Sequence, residues 1–388
     1  METMTQKIDL NNLDKSTWET FKFEDIADKI SKTVKPDKAD VDVYIGLEHI
    51  DAEDIHIRRK GVPSDVKGLK QRCSPGDVIF GKRRAYQRKA AIVGFEGICS
   101  GHSFVFRANP DIIDPKLLPF FLHSNQFMHR MVDISVGGLS PTINWGDLKK
   151  QQFLLPPKDQ QNKLAELLWA MDEVIESDRI VLHNAESTRL STEKTYLSKI
   201  DIKNGINSET FFDRVTDGTH DTPKRKNEGY RLLTSKNIIN YSLDLFTDYF
   251  ISENDYNEVN KRSKPDKNDI LFGMIGTVGQ VCRILEEPDF AIKNMGLFKT
   301  KNPLKSKIAF HYFKSRQFQF NLNAQLSGTT QKYVSLGYLR SLKLPNPEDN
   351  NVLNWINEAE KFDNLITTIM NKIASSKALQ KSLINQVF

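Results

Sequence analysis

Cysteine is scarce in this chain: Cys73, Cys99 and Cys282 are the only three among 388 residues. An odd number without Cys-x-x-Cys spacing excludes a disulfide framework and a zinc site, and points to a reducing compartment, so a cytoplasmic location is expected. No segment approaches the ~18–20 consecutive apolar residues of a membrane span. Residues 1–12 mix acidic, basic and polar side chains with no apolar stretch, which argues against a signal peptide. Charge of one sign is not in large excess either. The formal net charge is +5, with 39% hydrophobic and 27% charged residues, as in a soluble globular protein. The length is too great for one ordinary core, so at least two domains are expected.

Catalytic signatures are missing as well. No Gly-x4-Gly-Lys-Ser/Thr phosphate loop occurs, and no His-Glu-x-x-His. Gly273, Gly276 and Gly279 are spaced three apart, which is not a dinucleotide fingerprint; the segment reads as a tight turn between two strands. The Asn/Asp-Pro-Pro-aromatic tetrapeptide of amino-methylating enzymes is absent, since Leu155-Pro156-Pro157-Lys158 lacks both of its ends. His49, His102 and His220 stand alone in sequence, and Glu286-Glu287 reads as a solvated turn. These absences exclude no enzyme outright, but they point away from catalysis by this chain and away from a resident metal or cofactor.

What is present is a duplication. Gly76-Asp77-Val78-Ile79-Phe80-Gly81 is answered by Asn268-Asp269-Ile270-Leu271-Phe272-Gly273, at an offset of 192. Ser124-Asn125-Gln126-Phe127 is answered by Ser315-Arg316-Gln317-Phe318, and Trp145-Gly146-Asp147-Leu148-Lys149 by Leu336-Gly337-Tyr338-Leu339-Arg340, both at 191. Met171-Asp172 and Ile175 match Phe362-Asp363 and Ile366 at the same offset. So steady a register means one unit used twice, which suits a two-part target.

Each repeat is strand-rich and then changes period. Alternation or short apolar runs predict strands at 41–45, 78–80, 90–93 and 103–106, and helices over 116–131 and 306–322. From Leu164 the apolar residues recur near 3.5: Leu164, Leu168, Met171, Ile175 and Leu182, interrupted by Asp178. No proline or glycine lies between Pro157 and Gly205. The second seam carries Trp355, Phe362, Ile366, Ile369 and Ile373. A helix of about 40 residues would be ~60 Å long, which predicts a coiled-coil partner. The fold class expected is α+β: two strand-rich globular heads separated by two long antiparallel coiled-coil helices, with a pseudo-two-fold internal repeat. The expected boundaries are 1–158 for the first head, 159–203 for the first helix, 204–349 for the second head and 350–388 for the second helix. The alternative packs each helix on its own head.

The positive signals point to binding. Lys82, Arg83, Arg84, Arg88 and Lys89 fall within eight residues, with Tyr86 among them. Such a loop sets cations along a phosphate backbone while Arg or Tyr reaches a base edge. Lys224, Arg225 and Lys226 form a second cluster in the other half. Thr142 and Asn144 in one repeat, and Gln331, Lys332 and Tyr333 in the other, occupy equivalent polar loops after glycine.

At this point the pattern resembles the specificity subunit of type I restriction–modification systems. Asp217-Gly218-Thr219-His220-Asp221-Thr222-Pro223, with Thr234-Ser235-Lys236-Asn237-Ile238, resembles the opening of a target recognition domain of that family. Asn268 to Gly273 with Ile275-Gly276-Thr277-Val278-Gly279 is similar to its strand–turn block. Gly328-Thr329-Thr330-Gln331, then Leu339 and Leu342-Lys343-Leu344-Pro345, resembles the run before each long helix, and Leu155-Pro156-Pro157-Lys158-Asp159-Gln160-Gln161 resembles its proline-to-glutamine junction. The resemblance spans about Trp18 to the C-terminus. Two departures stand out: the second junction, Pro345-Asn346-Pro347, leads to no glutamine, and Gln280 stands where lysine is common. The resemblance implies two target recognition domains reading the halves of a split, asymmetric DNA sequence, with the helices as spacer and ruler. It adds Lys236 and Asn237 to the DNA-contacting candidates. It implies no catalysis and no cofactor in this chain. The implied partners are double-stranded DNA, two modification (methyltransferase) subunits and ATP-dependent restriction subunits, in which S-adenosylmethionine, ATP and Mg would be bound. The rivals are a two-headed protein-interaction scaffold and a stand-alone DNA-acting enzyme.

Overall fold

The computed structural model describes residues 14–326 and 333–388. It divides into two units, one holding residues up to Ile180 together with Met370–Phe388, the other Val181–Ile369.

In the first unit, strands Ala27–Lys29, Ser103–Ala108, Val78–Gly81 and Ala90–Ile92 form one antiparallel sheet in that order. Its central strand is buried on both faces, and alternation sorts the side chains. Val78 and Phe80 join Phe104 and Phe106 in the main core, while Ile79 faces Ala91, Val105, Cys73 and Cys99. The second layer is a sheet of Thr33–Val34, Lys70–Cys73, Gly97–Cys99 and Tyr44–Ile45, with the last pair parallel. The strand expected over 41–45 is therefore only its last two residues.

The second unit repeats the plan. Arg214–Asp217, Met295–Lys299, Ile270–Gly273 and Val281–Arg283 form the equivalent four-stranded sheet. Ile270 and Phe272 face the main core, and Leu271 faces the smaller one. Tyr230–Leu233 pairs in parallel with Phe290–Ile292, as Tyr44–Ile45 does with Gly97–Cys99. Duplication thus extends from sequence to topology.

Both predicted head helices are broken in two. Leu118–His123 is followed by Asn125–Asp133, and Pro303–Lys314 by Arg316–Leu326. The break is a serine in extended conformation, Ser124 or Ser315, whose hydroxyl accepts the backbone N–H of Phe127 (3.2 Å) or Phe318 (3.3 Å). A serine that caps the next helix ends the previous one without proline or glycine.

The long helices run Lys158–Leu197 and Asn350–Val387. The first stops short of residue 203, because the chain turns at 198–199 and Leu197 and Ile200 enter the second unit's core. Each unit contains parts of both helices. In the first, Leu164, Ala165 and Leu168 pack with Leu383, Ile384 and Val387 against the phenylalanine core. The direction is antiparallel: Gln380 Nε2 donates to the Leu168 carbonyl (3.2 Å), and Lys372 pairs with Asp178 (2.8 Å). The charge that interrupts the heptad seam is thereby neutralised. Ile175 is buried and Met171 partly so. In the second unit Val352, Trp355, Ile356 and Ala359 join the core, Ile369 is buried, and Leu182, Phe362 and Ile366 are half-buried; Ile373, in the first unit, is half-buried as well. The helices pair as expected, but the alternative of each helix on its own head does not hold, because the second helix gives Leu383, Ile384 and Val387 to the first unit's core.

The family-like junction is explained by burial. Gln161 is buried, donating to the carbonyls of Ile112 (2.9 Å) and Pro156 (2.8 Å) and accepting from Asp114 N–H (2.7 Å). At the repeat offset its place is taken by Val352, fully buried in the second core. An apolar side chain replaces a satisfied polar one, and the helix start is held instead by Asp349, which accepts the N–H of Asn351 (2.8 Å).

Candidate nucleic-acid interface

In the first unit the basic cluster is the connection between strands Val78–Gly81 and Ala90–Ile92. It contains one tight turn, Ala85–Gln87, flanked by Arg84 and Arg88 in left-handed conformation (φ 56° and 52°). Those two positions split the cluster into an outer and an inner set. Arg83 is half-exposed, and Arg84 and Tyr86 are exposed. Arg88 turns inward: its guanidinium donates to the His123 carbonyl (2.9 Å) and to Asn125 Oδ1 (3.0 Å) and lies 2.8 Å from the Glu53 carboxylate. Lys89 donates to the Leu47 carbonyl (2.7 Å). These two cations hold the loop down, and the outward face belongs to the others.

A polar loop of the same unit is stitched to this face. Arg83 bridges Thr142, the Arg84 N–H donates to the Pro141 carbonyl (2.7 Å), and the Ile143 N–H to the Lys82 carbonyl (2.9 Å). Arg84 Nε donates to Ser140 Oγ (3.1 Å). Thr142 is half-buried and Asn144 exposed. Sequence reasoning missed Lys29, because only the antiparallel register of its strand brings it here. Lys29 and Lys82 both stand over the Phe104 ring (5.7 and 5.2 Å), and Lys29 also over Trp145 (5.8 Å). Burial, and then the neighbouring charge of Lys29, push the Lys82 ammonium below its usual range. Among the described residues neither lysine has a carboxylate partner. An anion placed there would satisfy both.

In the second unit the same connection between sheet strands is 274–280, and it is apolar and glycine-rich where the first is basic. Val334 N–H donates to the Met274 carbonyl (3.0 Å) and Tyr333 bridges Ile275, matching Ile143–Lys82 and Thr142–Arg83. Lys224, Arg225 and Lys226 lie elsewhere, before strand Tyr230–Leu233. The two basic clusters are therefore not equivalent insertions in one frame. Lys224 and Lys226 are exposed, whereas Arg225 pairs with Asp248 and stands over Tyr249 (5.4 Å). Lys236 is exposed on an open cleft of about 460 Å³ lined also by Ile238, Asn240, Gly276, Thr277 and Gln280. Asn237 is buried: its side chain accepts from Thr234 N–H (3.0 Å) and donates to the carbonyls of Asp244 and Phe246 (3.1 Å each), so it shapes the loop. Tyr333 is exposed, and Gln331 and Lys332 lie outside the described residues.

The motif around Asp217 is a support. Buried Asp217 accepts from His220 (2.8 Å) and pairs with Arg262, and His220 also meets Asn294 (2.9 Å).

A family model described as the type I restriction modification DNA specificity domain matches residues 15–182 and again 217–387. The chain belongs to this family. Its two matches coincide with the two repeats. The chain is 25% identical over 168 residues to the type I restriction enzyme EcoDI specificity subunit of Escherichia coli, a match covering 42% of this chain but only 37% of that protein. Two solved structures share the fold. One is the type I restriction–modification S subunit from M. genitalium (14% identity, TM-score 0.57, covering 97% of this chain and 98% of that one). The other is a chain from a structure addressing complex assembly and conformational transition of the type I R-M system (16% identity, TM-score 0.57, covering 95% and 97%). In the first unit, exposed cations sit on a strand connection that backbone hydrogen bonds hold in place. Phosphates need fixed cations, and the frame must not yield when the loop is pulled.

Proposed function

We propose that this chain is the sequence-specificity subunit of a type I restriction–modification complex, reading a bipartite, asymmetric double-stranded DNA target with one half-site per unit. The observation that carries the reading is the contrast at one equivalent place. The frame of the two sheets is the same, while the connection at 82–89 is basic and that at 274–280 is apolar and glycine-rich. Different contents on one frame are what two unlike half-sites require.

In the first unit Arg83 and Arg84 contact phosphate or base edges, Tyr86 stacks or hydrogen-bonds, and Lys29 with Lys82 receives a backbone phosphate between them. In the second, Lys224, Lys226, Lys236 and Tyr333 face the DNA. The chain itself performs no catalysis and holds no cofactor. Two modification subunits would supply S-adenosylmethionine and methyl transfer, and restriction subunits would supply ATP- and Mg-dependent translocation and cleavage. The surfaces of the long helices serve as their scaffold.

The test is salt dependence. Phosphate contacts release counterions, with a slope of about −0.9 in log K against log salt for each phosphate neutralised. Replacing Arg83 and Arg84 by Ala is expected to weaken cognate binding and flatten the slope by roughly 1–2 units. Unchanged affinity and slope would remove these residues from the interface, and no DNA binding by the intact complex would remove the function.

A further inference from the structure

Leu139 is 97% exposed, the most exposed large apolar side chain among the described residues. It lies at the centre of residues 137–141, a loop closed by the Val136–Thr142 pair, which exchanges both N–H···O bonds (3.0 and 2.9 Å). Gly137 at φ 111° makes the reversal that a side chain would strain. Three further hydrogen bonds described above tie the same loop to Lys82 and Arg84. The leucine is therefore presented by a held loop tip, one residue from Ser140, whose hydroxyl accepts from the exposed Arg84 guanidinium.

A side chain so exposed adds nothing to the folded core, so its setting says what it meets. The neighbours are Lys82, Arg83 and Arg84, with no acidic side chain paired to them among the described residues. Charge complementarity selects a polyanion. A loop closed by a single bridge pair is no wider than the two-stranded ribbon that the ~12 Å major groove of duplex DNA admits, and there the one apolar group on a base edge is the thymine 5-methyl.

We propose that Leu139 is a specificity-determining side chain that packs on a thymine methyl in the half-site read by the first unit, while Arg83, Arg84 and Lys82 hold the flanking backbone. This inference rests on the DNA-reading function proposed above.

The experiment uses the full-length chain co-purified with its modification subunits and the duplex that complex selects from a random library. Each thymine of the selected site is replaced in turn by deoxyuridine, which lacks only the methyl. The wild-type chain is expected to lose about fourfold in affinity at one position, the factor that ~0.8 kcal/mol per buried methyl-sized group gives. Leu139→Ala is expected to bind thymine and uracil equally at that position, with penalties elsewhere and the melting temperature unchanged. No uracil-sensitive position in the wild type, or one whose penalty persists in Leu139→Ala, overturns the inference and leaves the DNA-reading function standing. Failure to select any duplex overturns both.

Discussion

Removing residues 381–388, the last two turns of the second long helix, is expected to unfold the first unit and spare the second. Leu383, Ile384 and Val387 are buried in the first unit's core with Leu164 and Leu168. The Phe388 ring meets Phe121 edge-on at 5.2 Å. Full burial of one such aliphatic side chain contributes about 1.5–3 kcal/mol, so the three contribute roughly 5–9 kcal/mol before the chain's lost entropy is counted. Asn385 Oδ1 also accepts the free N–H of Asn125 at the start of a helix (2.7 Å), worth about 1 kcal/mol. A domain's whole stability is about 5–15 kcal/mol, so the deletion removes most of it. Hydrogen exchange reads the two units separately. Protection over Leu118–His123 and Asn125–Asp133 is expected to collapse, while protection over Pro303–Lys314 and Arg316–Leu326 persists. Leu379→Ala, at a side chain 63% exposed, is the control and is expected to change stability by less than about 0.5 kcal/mol. Undiminished protection of the first unit in the truncated chain would refute the packing argument.

Glu360 provides a pH test in the second unit. Its carboxylate accepts from His311 (2.9 Å) and meets Lys307 (2.9 Å) and Arg283 (3.4 Å); the hydrogen bond from His311, foremost, pulls its pKa down to about 2 against the opposing effect of burial. A depressed folded-state pKa gives stability present above about 4.5 and lost as pH falls toward 2. Glu360→Gln is expected to cost roughly 1–2 kcal/mol at neutral pH, the full shift being discounted for solvent screening at a half-exposed carboxylate, with the difference from wild type closing between pH 4.5 and 2 in urea unfolding; a difference independent of pH would contradict the ion-pair account. Arg88→Ala, in contrast to Arg83 and Arg84, is expected to lower stability by about 1.5–3 kcal/mol, the range for hydrogen bonds to a charged group, and to leave the salt slope of DNA binding intact. A flattened slope without destabilisation would place Arg88 on the DNA instead.

The repeat and the long helices were legible in the sequence because both are written as periods. Equal offsets of strand blocks and an apolar stripe near 3.5 survive without tertiary information. Side-chain direction was not legible. Nothing in the run of basic residues at 82–89 reveals that Arg84 and Arg88 sit at positive φ and that the chain beyond turns two of its cations inward. Lys29 joins the face only through strand register. Asn237 looks like a reader in the family-like motif, yet three loop contacts occupy its amide. The breaks at Ser124 and Ser315 were hidden because serine is an ordinary helix residue until its hydroxyl finds the N–H three residues on. The return of the C-terminal turns to the first core is likewise a tertiary fact.

The central claim is that two frames alike in fold, carrying unlike connections, read two unlike half-sites. The most direct measurement is selection from a random duplex library by the intact chain with its modification subunits, followed by sequencing. The account predicts two short defined half-sites of different sequence separated by a fixed stretch of unspecified bases, with Arg83→Ala/Arg84→Ala altering only one of them. A single contiguous motif, two identical half-sites, or no enrichment would contradict it.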